Sequence, residues 1–264
     1  MKDRLLRWMT ELTSRKFVSK MTGAFAKSRI SRPLIRRFAQ IYRIEMEEVE
    51  KRLEEYASLN EFFPRRLKPG SRPVDPSPDA LVSPVDAKIT ACGFVRDGQL
   101  LHIKGQDYTL HELLGGSPRI PQFLQGFFWV LYLSPRDYHR IHAPCAGEIV
   151  ETEHLSGRVY PVNDTGLRLI RRVLSRNERL VTYIRHDKGE VALVKVGALN
   201  VSSIRYVEPR PDVLNRGDEL AYFEFGSTVV LLTEDGTFEP RPDLYPGLSV
   251  KMGEKLGTLI QKKK

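Results

Sequence analysis

Three segments of this chain carry side chains whose types and spacing suit acid–base or nucleophilic chemistry. In LYLSPRDYHRIHAPCAGEIV (131–150), His139 and His142 stand three residues apart between two apolar runs. Imidazole titrates near neutrality, so such a pair in a constrained loop is a candidate acid/base site. Pro135 and Pro144 bracket it, which predicts a loop or one helical turn, where residues three apart share a face. His-x-x-His is also half of a zinc-type ligand set. No convincing third and fourth ligands accompany it, His154 being the nearest candidate, so no metal is expected. Both histidines can equally be structural.

In LVSPVDAKI (81–89), Asp86 follows the start of an apolar strand and Pro84. A carboxylate there can serve as a turn residue, accepting backbone hydrogen bonds. It can also orient a histidine and stabilise the imidazolium. In EFGSTVVLLTE (224–234), Gly226, Ser227 and Thr228 interrupt a run of strand formers. Glycine inside a strand often marks a β-bulge. It also gives the backbone room beside a nucleophile. A serine, a histidine and an aspartate from three segments would be the usual activating set. No Gly-x-Ser-x-Gly elbow is present, which disfavours an α/β-hydrolase.

The elements that must position these residues divide the chain in two. Residues 1–45 hold twelve Lys and Arg against three acids, the whole of the net +9, and the remainder is balanced. Leu5, Trp8, Met9 and Leu12 fall on one helical face, and Phe17, Val18, Met21 and Phe25 extend the stripe. A basic amphipathic helix of this kind fits a membrane-surface anchor; packing on the body is the competing reading. Nucleic acid is not an expected partner, because charge is present without a binding motif. Ser31-Arg32-Pro33 predicts a helix start with Ser31 as cap. Leu34, Phe38, Ile41, Val49, Leu53 and Tyr56 form a second stripe.

After the Pro- and Gly-rich stretch 63–80 the texture changes to short β-rich runs: KITACGFV, QLLHI, FFWVLYL, GEIVETE, RLVTYIR, EVALVKV, LNVSSIR, TVVLLTE and KLGTLI. Helical patterns are few, Thr109 to Leu114 and Leu167 to Ser175. The expected class is α+β: basic amphipathic helices over 1–58, then a β-rich sandwich or partly closed barrel over 59–264. Cys92 and Cys145 form no CxxC pair, which points to a reducing compartment. The longest clean apolar run, FFWVLYL, is far short of the roughly 20 residues that a spanning helix needs. No signal peptide is read at the N-terminus.

The segments LNEFFPRRLKPGSRPVD, SPVDAKI, YLSPRDYHRIHAPCAGEI, YPVN, RNERLV, VKVGALNVSSI and EFGSTVVLL together resemble the pyruvoyl-dependent phosphatidylserine decarboxylases, from about residue 59 onward. Two positions depart from the family pattern, Phe225 where Leu is common and Ala87 where Gly is frequent. Neither removes a reacting group.

The resemblance implies a self-processing enzyme. Loss of CO2 from an α-amino acid needs an electron sink, and no standard side chain offers a ketone. By similarity, Ser227 Oγ attacks the Gly226 carbonyl and the amide becomes an ester. β-Elimination then cuts the chain, and hydrolysis with loss of ammonia leaves a pyruvoyl group at position 227, the expected cofactor. The products would be a large chain, 1–226, and a small chain, 227–264, held as a heterodimer. His142, oriented by Asp86, is the expected base for Ser227, and His139 the expected aid to decarboxylation or reprotonation. Phe62 and Phe63 are candidates to receive acyl chains. The implied reaction converts phosphatidylserine to phosphatidylethanolamine, with the helices 1–58 docking on anionic membrane at its cytoplasmic face and dimers as the family's habit. An uncleaved Ser227–His142–Asp86 lipid hydrolase and a non-catalytic lipid-binding protein are the alternatives.

Overall fold

The computed structural model describes residues 23–96, 99–103, 106–160, 162, 170–198, 204–224 and 227–262. Gly226 and the stripe residues Leu5, Trp8, Met9, Leu12, Phe17, Val18 and Met21 lie outside them. In chain order the strands are β1 (Ala80–Val82), β2 (Ala87–Phe94), β3 (Gln99–Ile103), β4 (Gln106–Thr109), β5 (Phe127–Leu133), β6 (Arg140–His142), β7 (Gly147–Leu155) and β8 (Arg179–His186). They continue with β9 (Gly189–Gly197), β10 (Ile204–Tyr206), β11 (Val213–Leu214), β12 (Glu219–Phe223), β13 (Ser227–Thr233), β14 (Phe238–Pro240), β15 (Ser249–Val250) and β16 (Lys255–Leu259).

Eight of these strands form one antiparallel sheet in the order β11-β7-β8-β9-β13-β5-β2-β15. Among the described residues there are also two three-stranded sheets, β1-β16-β14 and β10-β12-β6, and the hairpin β3-β4. The sheets do not close into a barrel, and with short helices at Leu34–Ile41, Leu59–Phe62, Leu110–Leu113 and Val173–Arg176 the class is α+β.

Both faces of the large sheet are buried, which is why its central strands read as near-continuous apolar runs rather than alternating ones. On one face Val130, Val194, Val230 and Leu232 pack with Leu110, Leu113 and Val173 from the short helices. On the other, Leu131, Leu133, Val229 and Leu231 meet Ile141, Ala221 and Phe223 of one small sheet and Leu81, Leu256 and Leu259 of the other. All seven residues of β13 are buried, between β9 and β5.

The segment 224–234 is not one strand with a bulge. β12 ends at Phe223 in a small sheet, and β13 begins at Ser227 in the large one. From Ser227 onward β13 runs in unbroken register with both neighbours, Ser227 facing Leu133 and Gly197. The interrupted sequence is therefore a crossing between sheets.

The N-terminal expectations shift locally. Pro33, not Ser31, caps the helix Leu34–Ile41, while Ser31 Oγ donates to Ala26 and Ser28 carbonyls and accepts from Leu59 N–H. The helix buries Ile35 and Ala39 and leaves Leu34 and Ile41 exposed. The chain leaves helical geometry at Arg43, with φ 52°, and Val49, Leu53 and Tyr56 pack from the following turns and short 3-10 segments against Ile35, Ala39 and Phe62 in a small separate core. Among the described residues no helix is long and apolar enough to cross a membrane.

Candidate active site

Ser227 opens the central strand β13 and has no exposed surface. Strand alternation gives it the face shared by Val229, Leu231 and Leu133. Its Oγ has no hydrogen-bond partner among the described residues. A buried orphan hydroxyl costs about 1–3 kcal/mol, and in a native protein it calls for an explanation such as a catalytic role.

The two histidines lie on the segment that leaves β5 beside Ser227. Leu133 pairs with Ser227; the chain then turns through residues 134–139 and enters β6. His139 O accepts from Phe223 N–H at 3.0 Å, so this segment brackets the 224–226 crossing. The expected loop or helical turn holds for His139, but His142 belongs to β6, and the pair occupy separate environments.

His139 is fully buried, its ring 4.0 Å from that of Phe63. Nδ1–H donates to the Asp137 carbonyl at 2.8 Å, which leaves the lone pair on Nε2, and that atom has no partner among the described residues. Burial, helped by the Arg65 charge, depresses its pKa to about 3, so the ring is neutral across the physiological range. His142 adopts the same tautomer: Nδ1–H donates to Gly217 O at 2.7 Å, and Nε2 accepts from the Tyr138 hydroxyl at 3.1 Å. Burial lowers its pKa, against the pull of the Gly217 carbonyl. The site thus offers two neutral imidazoles, each with an Nε2 lone pair.

Asp86 is not joined to His142. Arg72 Nε lies 2.9 Å from both of its carboxylate oxygens and Nη2 lies 2.6 Å from Oδ2. Met252 N–H adds a bond of 2.9 Å to Oδ1. The guanidinium and the amide saturate the carboxylate, while the Gly217 carbonyl takes the nitrogen that Asp86 was expected to hold. Its effect on His142 is through space, as a charge favouring the imidazolium. No hydrogen bond links Ser227 to either histidine, so the four predicted residues converge on one end of the large sheet without closing a hydrogen-bonded triad.

Phe62 and Phe63 are buried in the interior and not presented to an acyl chain; Phe63 backs His139. Sequence reasoning missed Arg72, Tyr138 and Gly217. Arg72 stands in LNEFFPRRLKPGSRPVD and Tyr138 directly precedes His139, so both were visible as neighbours without a role. Gly217 acts through a carbonyl supplied by the fold, which no side-chain pattern reports. Among the described residues no group of three or more His, Cys, Asp and Glu is placed to hold a metal ion.

Comparison with known proteins adds an independent line. Residues 59–258 match the family model described as phosphatidylserine decarboxylase. A phosphatidylserine decarboxylase proenzyme of Anoxybacillus flavithermus is 42% identical over 264 residues, covering 98% of this chain and 99% of that protein. Proteins of the same name from Geobacillus kaustophilus, 44% identical over 97% of each chain, and Bacillus thuringiensis, 41% identical over the full length of both, are similarly close.

Proposed function

The chain belongs to the phosphatidylserine decarboxylase family and is a carboxy-lyase for that lipid, and we propose that it acts through a pyruvoyl group made from its own Ser227. The observation that carries this reading is the orphan Ser227 hydroxyl, buried at the first residue of β13, where the chain passes from one sheet to another. The residue types fit the group: a serine with no hydrogen-bond partner among the described residues, preceded by Gly226, with neutral imidazoles on the adjoining segment.

In the maturation step Ser227 Oγ adds to the carbonyl carbon of Gly226, and the C–N bond of that amide breaks as the C–O ester bond forms. His142 takes the hydroxyl proton at Nε2, the atom that now accepts from Tyr138. Loss of a proton from Cα of residue 227 then expels the Gly226 carboxylate. Water replaces ammonia on the remaining enamine, so the small chain starts with a carbonyl. When formed, that group supplies an electron-withdrawing ketone for an amine-bearing substrate. His139, neutral and with its Nε2 unpartnered, is assigned to handling the proton at the substrate's Cα. Asp86, saturated by Arg72, biases His142 toward accepting a proton by its charge. The basic N-terminal segment is assigned to docking on anionic membrane, where the lipid resides.

The test is the mass of freshly purified protein. The expected result is two chains, 1–226 and the 38-residue 227–264, the latter lighter by one ammonia than a serine-initiated fragment and refractory to Edman degradation. A single intact chain that decarboxylates phosphatidylserine overturns the reading. An intact chain that reacts with a serine-directed phosphonate points to the hydrolase instead.

A further inference from the structure

A cavity of about 420 Å3 adjoins the site. Asp86, Tyr138 and Ser134 are on its wall, and so is Tyr132, the residue opposite Thr228 in β13. Much of the remaining wall is cationic. Arg72 is occupied by Asp86 and Glu48, Lys251 lies 3.6 Å from Glu48, and Arg136 lies 3.6 Å from Asp137. Arg43, Arg65 and Lys88 have no ion-pair partner among the described residues, and the acid left unpaired on the wall is Glu45.

Arg65 is the unusual member. It is only 3% exposed, yet among the described residues its guanidinium forms no ion pair with a carboxylate. It donates to the carbonyls of Phe63, Arg136 and Asp137, at 3.4, 2.6 and 3.1 Å, and stacks 5.4 Å from the Phe62 ring. Its Nε has no partner. Buried guanidinium groups are ordinarily paired with an anion, because leaving the charge uncompensated is costly. Burial lowers its pKa to about 10, which still leaves it charged at neutral pH. Arg65 is on the cavity wall, and the same charge reaches His139.

We propose that this cavity binds the phosphodiester of the lipid headgroup, with Arg65 as its central cation and Arg43 and Lys88 at its rim. The assignment rests on the phosphatidylserine reading above. The substrate carries two anions, and only one suits a guanidinium here. Its carboxylate must leave as CO2, and a cation that holds it in the ground state opposes that loss. The phosphodiester keeps its charge throughout, so binding it fixes the headgroup without opposing the chemistry. A cavity of this size lies in the range of small-ligand sites.

The probe is glycerophosphoethanolamine, a soluble phosphodiester with neither acyl chains nor carboxylate, titrated into processed full-length protein by calorimetry and tested as a competitor in the decarboxylation assay. Free serine and inorganic phosphate are run beside it. Glycerophosphoethanolamine is expected to bind and to raise the apparent KM, serine to do neither, and phosphate to bind more weakly. Arg65→Gln should weaken the phosphodiester at least about tenfold and raise KM more than it lowers kcat, as loss of a charge-assisted contact does. Because Arg65 is buried and holds the 134–139 turn through the Arg136 and Asp137 carbonyls, Arg43→Ala and Lys88→Ala, both exposed, provide a second arm, each expected to weaken binding about threefold. Unchanged binding in all three variants overturns the proposal, as does serine binding better than the phosphodiester. Phosphate binding as tightly as glycerophosphoethanolamine would make this a free-phosphate site and overturn the headgroup assignment. Arg65-dependent phosphodiester binding in a protein that does not decarboxylate the lipid would instead overturn the functional reading alone.

Discussion

Replacing Asp86 by Asn separates two ways in which this carboxylate can serve the site. The structure makes it the partner of Arg72, with both side chains about nine-tenths buried. Removing one member of a buried pair costs about 3–5 kcal/mol, mostly because the other charge is left behind. Two features reduce that here. Glu48 remains 2.8 Å from Arg72, and Asn keeps an acceptor oxygen for Met252 N–H. We therefore expect Asp86→Asn to lose about 2–3 kcal/mol. Arg72→Met should lose a similar amount, and the double variant less than the sum, with a coupling of at least about 1.5 kcal/mol. Urea unfolding in a Ser227→Ala background keeps a single uncut chain and measures all four corners of the cycle. The extent of cleavage is read separately with Ser227 intact, where Arg72→Met should slow processing alongside Asp86→Asn. If Asp86→Asn abolishes cleavage with stability unchanged and no coupling to Arg72, the carboxylate acts on His142 directly and the reasoning fails.

Ser227→Ala should stop the cut entirely and leave one intact chain; a cleaved chain would contradict this. His139 has a folded pKa of about 3 against 6.5 when unfolded, so the unfolded chain binds more protons between those values. Stability is then full above pH 6.5 and falls as pH drops toward 3, by about 1.4 kcal/mol per pH unit for this one group. His139→Gln should flatten the measured slope by about that amount, and identical slopes would refute the assignment. A Cβ on Gly126 would sit 1.9 Å from the Thr233 carbonyl oxygen, so Gly126→Ala should cost about 3 kcal/mol or more, checked against an unchanged melting temperature as the refuting result.

Much of this architecture was legible because apolar runs and turn residues report strands directly. FFWVLYL is β5 residue for residue, and QLLHI is β3. Legibility ended where tertiary context decides. Residues 224–234 look like one faulty strand because sequence does not say that β12 and β13 join different sheets. Nothing in EVALVKV marks Lys195 as interior, yet it is fully buried, donating to Thr182 Oγ1 at 2.5 Å and Leu193 O at 3.3 Å, because the small sheets cover that face. The site residues were visible by type, but their partners were not. Asp86 takes Arg72 and His142 takes a backbone carbonyl, choices made by proximity in the fold rather than by chemical kind.

A cut at the sheet crossing would leave the strand ladders on either side of it in place. Cys92 and Cys145 both precede residue 226, so no disulfide could hold the downstream piece. It does not need one. β13 is hydrogen-bonded on both sides to strands of the upstream piece, β9 and β5, while β15 pairs with β2 and β16 with β1. Each ladder survives a cut that falls between β12 and β13. On the proposed maturation, the burial of position 227 also bears on the order of events. A chain folded from two pieces would have to bring a charged N-terminal ammonium into a buried strand end, at a cost of several kcal/mol. A chain that folds whole carries only a neutral amide there, and on the proposed route the amine freed at residue 227 is lost as ammonia when the carbonyl forms. Folding first and cutting second is the sequence of steps that this geometry favours.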